Sequence, residues 1–537
     1  MASDDTLIAS DGTVLPMLRT VPLEEDGIHA DVDYSDIEWY LYDTTEFNAW
    51  TDRLAEAQTV EEATAIYQWL LSEFNEIDTQ STVIWNYHYA DVNNEELNNA
   101  CTTADAIRDA AKDKFSAAVV KLLAGPLGEE MESVIGERTA EALGDYTEMS
   151  AREMELKARE TELQLEYNQL VVRDDLSRPQ INNRVGKVYL ELIKVRNEFA
   201  KLRGYSSYAE YAYKEQYGRD FSPTEAAAFA EIVKPFAKAY YENCCYCSAF
   251  ATDITGTGPV TAEDILATLR EYAPLVSENA AAAEKYMEDH GLYLLESADK
   301  ITDVGFTTSF YAYKAPFLYN SLYNNLLDMQ VSTHEFGHYC EAYLHPVTEP
   351  LASEGSYDIF EIHSTGMEAL FYSWYDEIFG DAADEARIYC LDGFFNSLVS
   401  GCIQDEFQRY VFDHPDMTVD DLDKCYYEIA SSYGDPYADA YFWMDVSHNF
   451  ENPFYYISYA VSALATLQIW ELSQKNFEAA HTLYNQLVEY GAFDLGFNEL
   501  LKTLNLVSLG GDMSSCIRTA YKSLENLCLS YDAANAA

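Results

Sequence analysis

The segment His334-Glu335-Phe336-Gly337-His338 constrains this chain more than any other, because two histidines four apart serve one metal ion only if the segment is helical. Side chains at i and i+4 lie one above the other on a helix, so the imidazoles converge and the Glu335 carboxylate stands beside them. The arrangement suits a zinc ion held by His334 and His338, with Glu335 as general base for a metal-activated water. Peptide-bond hydrolysis is the chemistry it implies. The pattern arises by chance in about one or two per hundred chains of this length, so its flanks matter. From Met329 to Leu344 there is no proline, and Val331, Phe336, Tyr339, Tyr343 and Leu344 supply the apolar positions of a partly buried helix. Gly337 alone weakens that helix, by roughly 1 kcal/mol relative to alanine.

Catalytic zinc takes three protein ligands and keeps a position open, so another His, Asp or Glu is expected downstream. Glu354, Glu361 and Glu368 compete. Glu354 falls in the turn-like Ala352-Ser353-Glu354-Gly355-Ser356, whereas the chain from Asp358 onward reads as a helix, which holds metal geometry better than a loop. Glu361 is therefore expected as the third ligand of one zinc per chain. Glu368, two turns further on the same face, is expected to accept the N–H of a ligating imidazole. His363 is expected there too, or simply packed.

Against 92 Asp plus Glu stand only 33 Lys plus Arg, a net charge of −59. That balance excludes nucleic acid and anionic membranes as expected partners and favours neutral or cationic ligands, while keeping the surface soluble. The ten cysteines form no disulfide framework, and Cys244-Cys245-x-Cys247 has no second cluster to complete a zinc ribbon, so reduced, mostly buried thiols are expected. The first residues show neither a basic region nor an apolar core; a cytoplasmic location is the expectation, unless a secretory leader has been trimmed. The most apolar run, Pro453 to Trp470, is broken by Ser458, Ser462, Thr466 and Gln468, and reads as a buried helix rather than a membrane span.

Helix signals run from end to end. Thr59-x-x-Glu62, Ser222-x-x-Glu225, Thr261-x-x-Asp264 and Thr418-x-x-Asp421 each pair an oxygen cap with an acid three residues on. The Glu-rich stretch Met149 to Leu170 suits a helical hairpin or bundle; a break follows at Asp174 to Asn183, containing Pro179, and a further helix from Val185 to Arg203 stops at Gly204. Strand-like alternation is scarce, and the best candidate is Gly305 to Tyr313. The expectation is a mainly α chain with a small β-sheet beside the zinc site, an N-terminal helical lobe over 1–183 and a catalytic domain over 184–537 whose last helices are free to pack across both.

Several separated segments resemble the oligoendopeptidase F branch of the thimet oligopeptidase family of zinc metallopeptidases. They are Arg196 to Tyr205, Lys314-Ala315-Pro316-Phe317-Leu318 through Asp328 to His338, Glu361-Ile362-His363-Ser364-Thr365-Gly366-Met367-Glu368, and His448 to Ala460. Together they span roughly residues 190 to 470. The resemblance implies two helical lobes around a deep channel with zinc at its floor, admitting short peptides and cleaving them internally. Tyr456 and Tyr459, three apart, can share a helical face, and with His448 they are expected to stabilise the oxyanion. Which of Tyr455, Tyr456 and Tyr459 meets the substrate stays open, as do oligomeric state and residue preference.

Two other readings are weighed against this zinc endopeptidase. Glu335-x-x-His338 and Glu478-x-x-His481 have the spacing of di-iron carboxylate bundles, but His334 is then surplus and the other two glutamates lack evident helices. A peptide-binding protein without catalysis is the third, and the presence of every expected group argues against it.

Overall fold

The computed structural model of the chain describes Val14 and residues 18–91, 94–144, 149–251, 260–297, 301, 305–352, 355–492 and 494–535. Glu354, the loop rival for third ligand, lies outside them.

The protein is mainly α-helical with one small sheet, as its caps and periodicity predict. All four cap signals start helices: Val60–Ala90, Pro223–Asn243, Ala262–Val276 and Val419–Ser432, each with the cap oxygen accepting the N–H three residues on. All ten cysteines are free, and all but Cys245 are buried.

The chain divides into two compact units, each made of two separated stretches. The first is Met1–Thr147 with Gly258–Glu354, and the second is Glu148–Thr257 with Gly355–Ala537. The break read at Asp174 to Asn183 falls inside the second unit and is shorter than expected. Pro179 occupies the first turn of the helix Arg178–Leu202, with Ser177 as its cap. A proline is tolerated there because a first-turn N–H has no intrahelical acceptor to lose. This helix lies against Ala151–Val171 as the predicted hairpin, laced by Arg152–Glu198 at 2.7 Å and Arg159–Glu191 at 2.6 Å.

In the first unit, Phe47, Trp50, Ile66, Tyr67, Leu70, Phe74 and Phe115 form a core between the helices Val60–Ala90 and Glu95–Leu123. Strands β1 (Tyr293–Ser297), β2 (Gly305–Phe310) and β3 (Ala315–Leu322) form a sheet in the order β1-β3-β2. The central β3 pairs parallel with β1, Tyr293 opposite Leu318, and antiparallel with β2, Thr307 opposite Leu318. Every residue of β3 is buried. The helix Leu326–Leu344 packs on β2 and β3.

In the second unit, the helix Tyr357–Phe371 packs on Ile457–Lys475, which packs in turn on Ala383–Asp413. Small residues permit the close approach: a Cβ on Gly401 would stand 2.5 Å from the carbonyl oxygen of Tyr456 and 2.7 Å from Cβ of Ala460. Ile457–Lys475 is the apolar run singled out in the sequence, buried along most of its length. Among the described residues no helix is long and apolar enough to cross a membrane.

Candidate active site

The helix Leu326–Leu344 starts at a firm cap. Asn325 Oδ1 accepts the N–H of Leu327 at 2.9 Å, while the two oxygens of Asp328 accept from Asn325 at 2.9 Å and Tyr323 at 3.0 Å. From β3, Asn320 Nδ2 donates to Ser332 Oγ at 2.9 Å and ties the helix to the sheet. Strand β2 reaches it through Gly305, where a Cβ would stand 2.9 Å from Val331 Cγ1. That close approach brings Thr307 Oγ1 to 2.8 Å from the carbonyl oxygen of Glu335 and 3.0 Å from its Oε2, so the hydroxyl can donate to either. Glu335 is buried at 6 % exposure, with the half-buried His334 and His338 rings on the same helix 5.0 Å apart.

Glu361 projects from the helix Tyr357–Phe371, which is anchored one turn earlier. There Asp358 meets Arg219 Nε at 3.2 Å with both side chains buried, and Arg219 Nη2 donates to Ser458 Oγ at 2.8 Å. The guanidinium lies over the rings of Tyr213 and Tyr217, 4.6 and 4.4 Å from their centroids, which shields it without hydrogen bonds. Ser462 Oγ donates to the carbonyl of Asp358 at 2.8 Å, and Ser364 Oγ lies 3.4 Å from Glu361 Oε2. The Glu361 helix is thereby registered against the helix that carries Tyr459.

His448, Tyr455, Tyr456 and Tyr459 form one aromatic cluster. The His448 ring is 4.9 Å from Tyr455, 5.1 Å from Tyr456 and 6.3 Å from Tyr459, and Tyr459 is 5.2 Å from each of the other two phenols. Burial holds the His448 imidazole below its ordinary value against the opposing pull of Glu451, favouring the neutral ring. Tyr459 is pushed up to about 12 by burial first and then by the Glu361 carboxylate. Tyr455 is raised by burial, by Tyr459 and by Glu361. Tyr456 is raised by burial alone. Tyr455 and Tyr459 thus feel the charge of Glu361, and Tyr456 does not.

His334 and His338 share a helix of the first unit, Glu361 stands on a helix of the second, and the three are one of two His/acid groups among the described residues that could hold a metal ion. Two imidazoles and a carboxylate match in number and kind the donors of a catalytic divalent-metal site with a position left open. The other group is Glu24, Asp31 and His290, and Glu478 and His481 enter neither. Glu368 sits two turns beyond Glu361, close enough to Cys390 to help raise its thiol, an effect led by burial. His363 is fully buried, and its carbonyl accepts from Tyr484 Oη at 2.8 Å.

The sequence assigns no role at the site to Thr307, Arg219 or Asp358. Thr307 lay within the predicted strand, but only the packing of that strand on the helix makes it a partner of Glu335. Arg219 and Asp358 are 139 residues apart, and neither spacing nor composition links them.

Comparison with protein-family models finds none that matches this chain, and comparison with curated proteins finds no match either. Solved structures do match over nearly the whole length. PZ peptidase A, solved with an inhibitor, shares 22 % identity with a TM-score of 0.74, covering 93 % of this chain and 99 % of its own. A protein described as oligoendopeptidase F from Bacillus anthracis shares 21 % with a TM-score of 0.70, covering 93 % and 98 %. The M32 carboxypeptidase from Deinococcus radiodurans R1 shares 14 % with a TM-score of 0.57, covering 89 % and 100 %. The chain has the fold of these peptidase structures, and it is mainly α-helical with one small sheet, as expected.

Proposed function

We propose that the protein is a zinc-dependent endopeptidase that hydrolyses internal bonds of short peptides. What supports this reading is the donor set of His334, His338 and Glu361, on a fold whose solved examples include an oligoendopeptidase F. One zinc ion held by these three residues would supply a Lewis acid and make a water acidic enough to lose a proton near neutral pH.

Glu335 takes that proton. Thr307 donates toward Oε2, which orients the carboxylate and leaves Oε1 to receive it. The same oxygen then returns the proton to the leaving amine. Tyr459 is the phenol assigned to donate to the developing oxyanion: it stands in the cluster with His448, and burial and the Glu361 carboxylate raise its affinity for the proton, which keeps it a donor at neutral pH. His448 stands in the same cluster as a second donor through a ring N–H, and Tyr456 packs against it.

Digestion of a mixed peptide library, followed by mass spectrometry with and without a chelator, tests the reading. Cleavage inside end-blocked peptides that stops on chelation and returns with zinc is the expected result. Removal of single C-terminal residues only would assign a carboxypeptidase instead, and tight peptide binding without cleavage would leave the site a receptor.

A further inference from the structure

The short helix His448–Glu451 is a single turn, and a single turn does not hold its own end: its last carbonyls have no partners within it. The structure supplies those partners from the hairpin of Ala151–Val171 and Arg178–Leu202. Arg196 Nη1 donates to the carbonyl of Asn449 at 3.4 Å and Nη2 to that of Phe450, while Nε is held by Glu160 Oε1 at 2.6 Å. Gln164 Nε2 lies 3.3 Å from the carbonyls of both Phe450 and Glu451. The Tyr167 ring stacks on Phe450 at 3.7 Å between centroids. Arg196 is 1 % exposed, yet it spends its guanidinium on two main-chain carbonyls and one carboxylate. A lysine would have kept the charge but not the planar fork that reaches all three acceptors.

We infer that Arg196, held by Glu160, is a positioning residue that fixes the His448 turn against the Tyr455–Tyr459 cluster. The chain just past the turn needs such an anchor, because Phe454 adopts a left-handed backbone, φ 67°, which a bulky side chain takes up only when its surroundings enforce it. Gln408 accepts the N–H of Phe454 and donates to Asn449, while Tyr217 Oη donates to the carbonyl of Pro453 at 2.9 Å. The Arg196 end and the Phe454 end thus clamp the segment between them, and the direction of the His448 ring follows from both. This inference rests on the reading of His448 given above.

The test is a double-mutant cycle on peptide cleavage with Arg196→Lys and His448→Gln. Arg196→Lys is expected to lower kcat on the order of tenfold with KM nearly unchanged, a loss typical of a misaligned catalytic group. In the His448→Gln background the same lysine should cost almost nothing more, because the residue acts through His448. Equal cost in both backgrounds would overturn the inference. Glu160→Gln, which loosens the guanidinium without removing it, should move kcat in the same direction by less, and it carries the test if the lysine variant fails to fold. Arg152→Lys, at an exposed pair on the same hairpin, serves as the control and should change nothing. If the wild-type chain cleaves no peptide, the proposed function falls, and carbon-13-labelled histidine decides the positioning by itself. The resonance lost in His448→Gln should titrate closer to the ordinary imidazole value in Arg196→Lys, and an unchanged titration would overturn it.

Discussion

Arg219 Nε lies 3.2 Å from Asp358 Oδ2, deep in the second unit, with one exposed 0 % and the other 2 % along their side chains. The pair stands one turn before Glu361, and its second arm on Ser458 reaches the residue preceding Tyr459. A ligand helix and a phenol helix are registered by one guanidinium.

Removing half of that pair strands a buried charge. Arg219→Met is expected to destabilise the chain by about 3–5 kcal/mol, and Arg219→Met with Asp358→Leu to recover much of the loss, since no charge is then left unpaired. Urea unfolding of the two variants checks this; equal losses would show that packing, not charge, dominates.

Glu335→Gln keeps the shape and the Thr307 contact but cannot take a proton. Turnover of a quenched peptide should drop at least about a hundredfold while zinc content and unfolding temperature stay at wild-type values. A rate unchanged from wild type would remove Glu335 as the base.

The three tyrosines should separate. Tyr459→Phe is expected to lower kcat more than it raises KM, by about a hundredfold, as loss of one oxyanion donor does elsewhere. Tyr455→Phe, which removes a neighbouring phenol of the same cluster, should cost less, and Tyr456→Phe least. Steady-state kinetics of the three variants rank them, and a largest effect at Tyr456 would reverse the assignment.

Metal content distinguishes the ligands from their neighbours. His338→Ala and Glu361→Ala should each purify with far less than one zinc per chain, whereas Glu478→Ala should retain it. Elemental analysis decides, and two irons per wild-type chain would revive the carboxylate-bundle alternative.

The stability of the His448 segment should depend on pH with a definite sign. Burial holds that imidazole below its ordinary 6.5, so the unfolded chain binds the proton more readily than the folded one. Stability therefore rises with pH across this range: the contribution is complete above about 6.5 and is lost as the pH falls through the lower, folded value. The unfolding temperature of the wild type should drop more between pH 7.5 and 5 than that of His448→Gln. Parallel curves would mean that the ring is not buried as described.

Much of the helical frame was legible because its signals are local. Thr59, Ser222, Thr261 and Thr418 each satisfy a free N–H three residues away, and that chemistry needs no distant partner. The sheet was legible only in part. Gly305 to Phe310 sets Phe306, Thr308 and Phe310 at every second position, a period that can be read, but Ala315–Leu322, buried on both faces, has no period of two to read, and Tyr293–Ser297 is recognised only by pairing with it. The division into units was not legible in the same way, because each unit joins stretches far apart in sequence.

At the candidate site, the sequence by itself determined the pairing of His334 with His338 and the place of Glu335 beside them, since helical periodicity acts over four residues. It also put Glu361 on a rigid helix. Only the tertiary structure decided that Thr307 meets Glu335, that Arg219 answers Asp358, that Arg196 grips the His448 turn, and that Tyr455 and Tyr459, rather than Tyr456, feel Glu361. The reason is physical: a cap or an i, i+4 pair is closed by the local backbone, whereas a buried ion pair between residues 139 apart forms only when packing brings both out of water together.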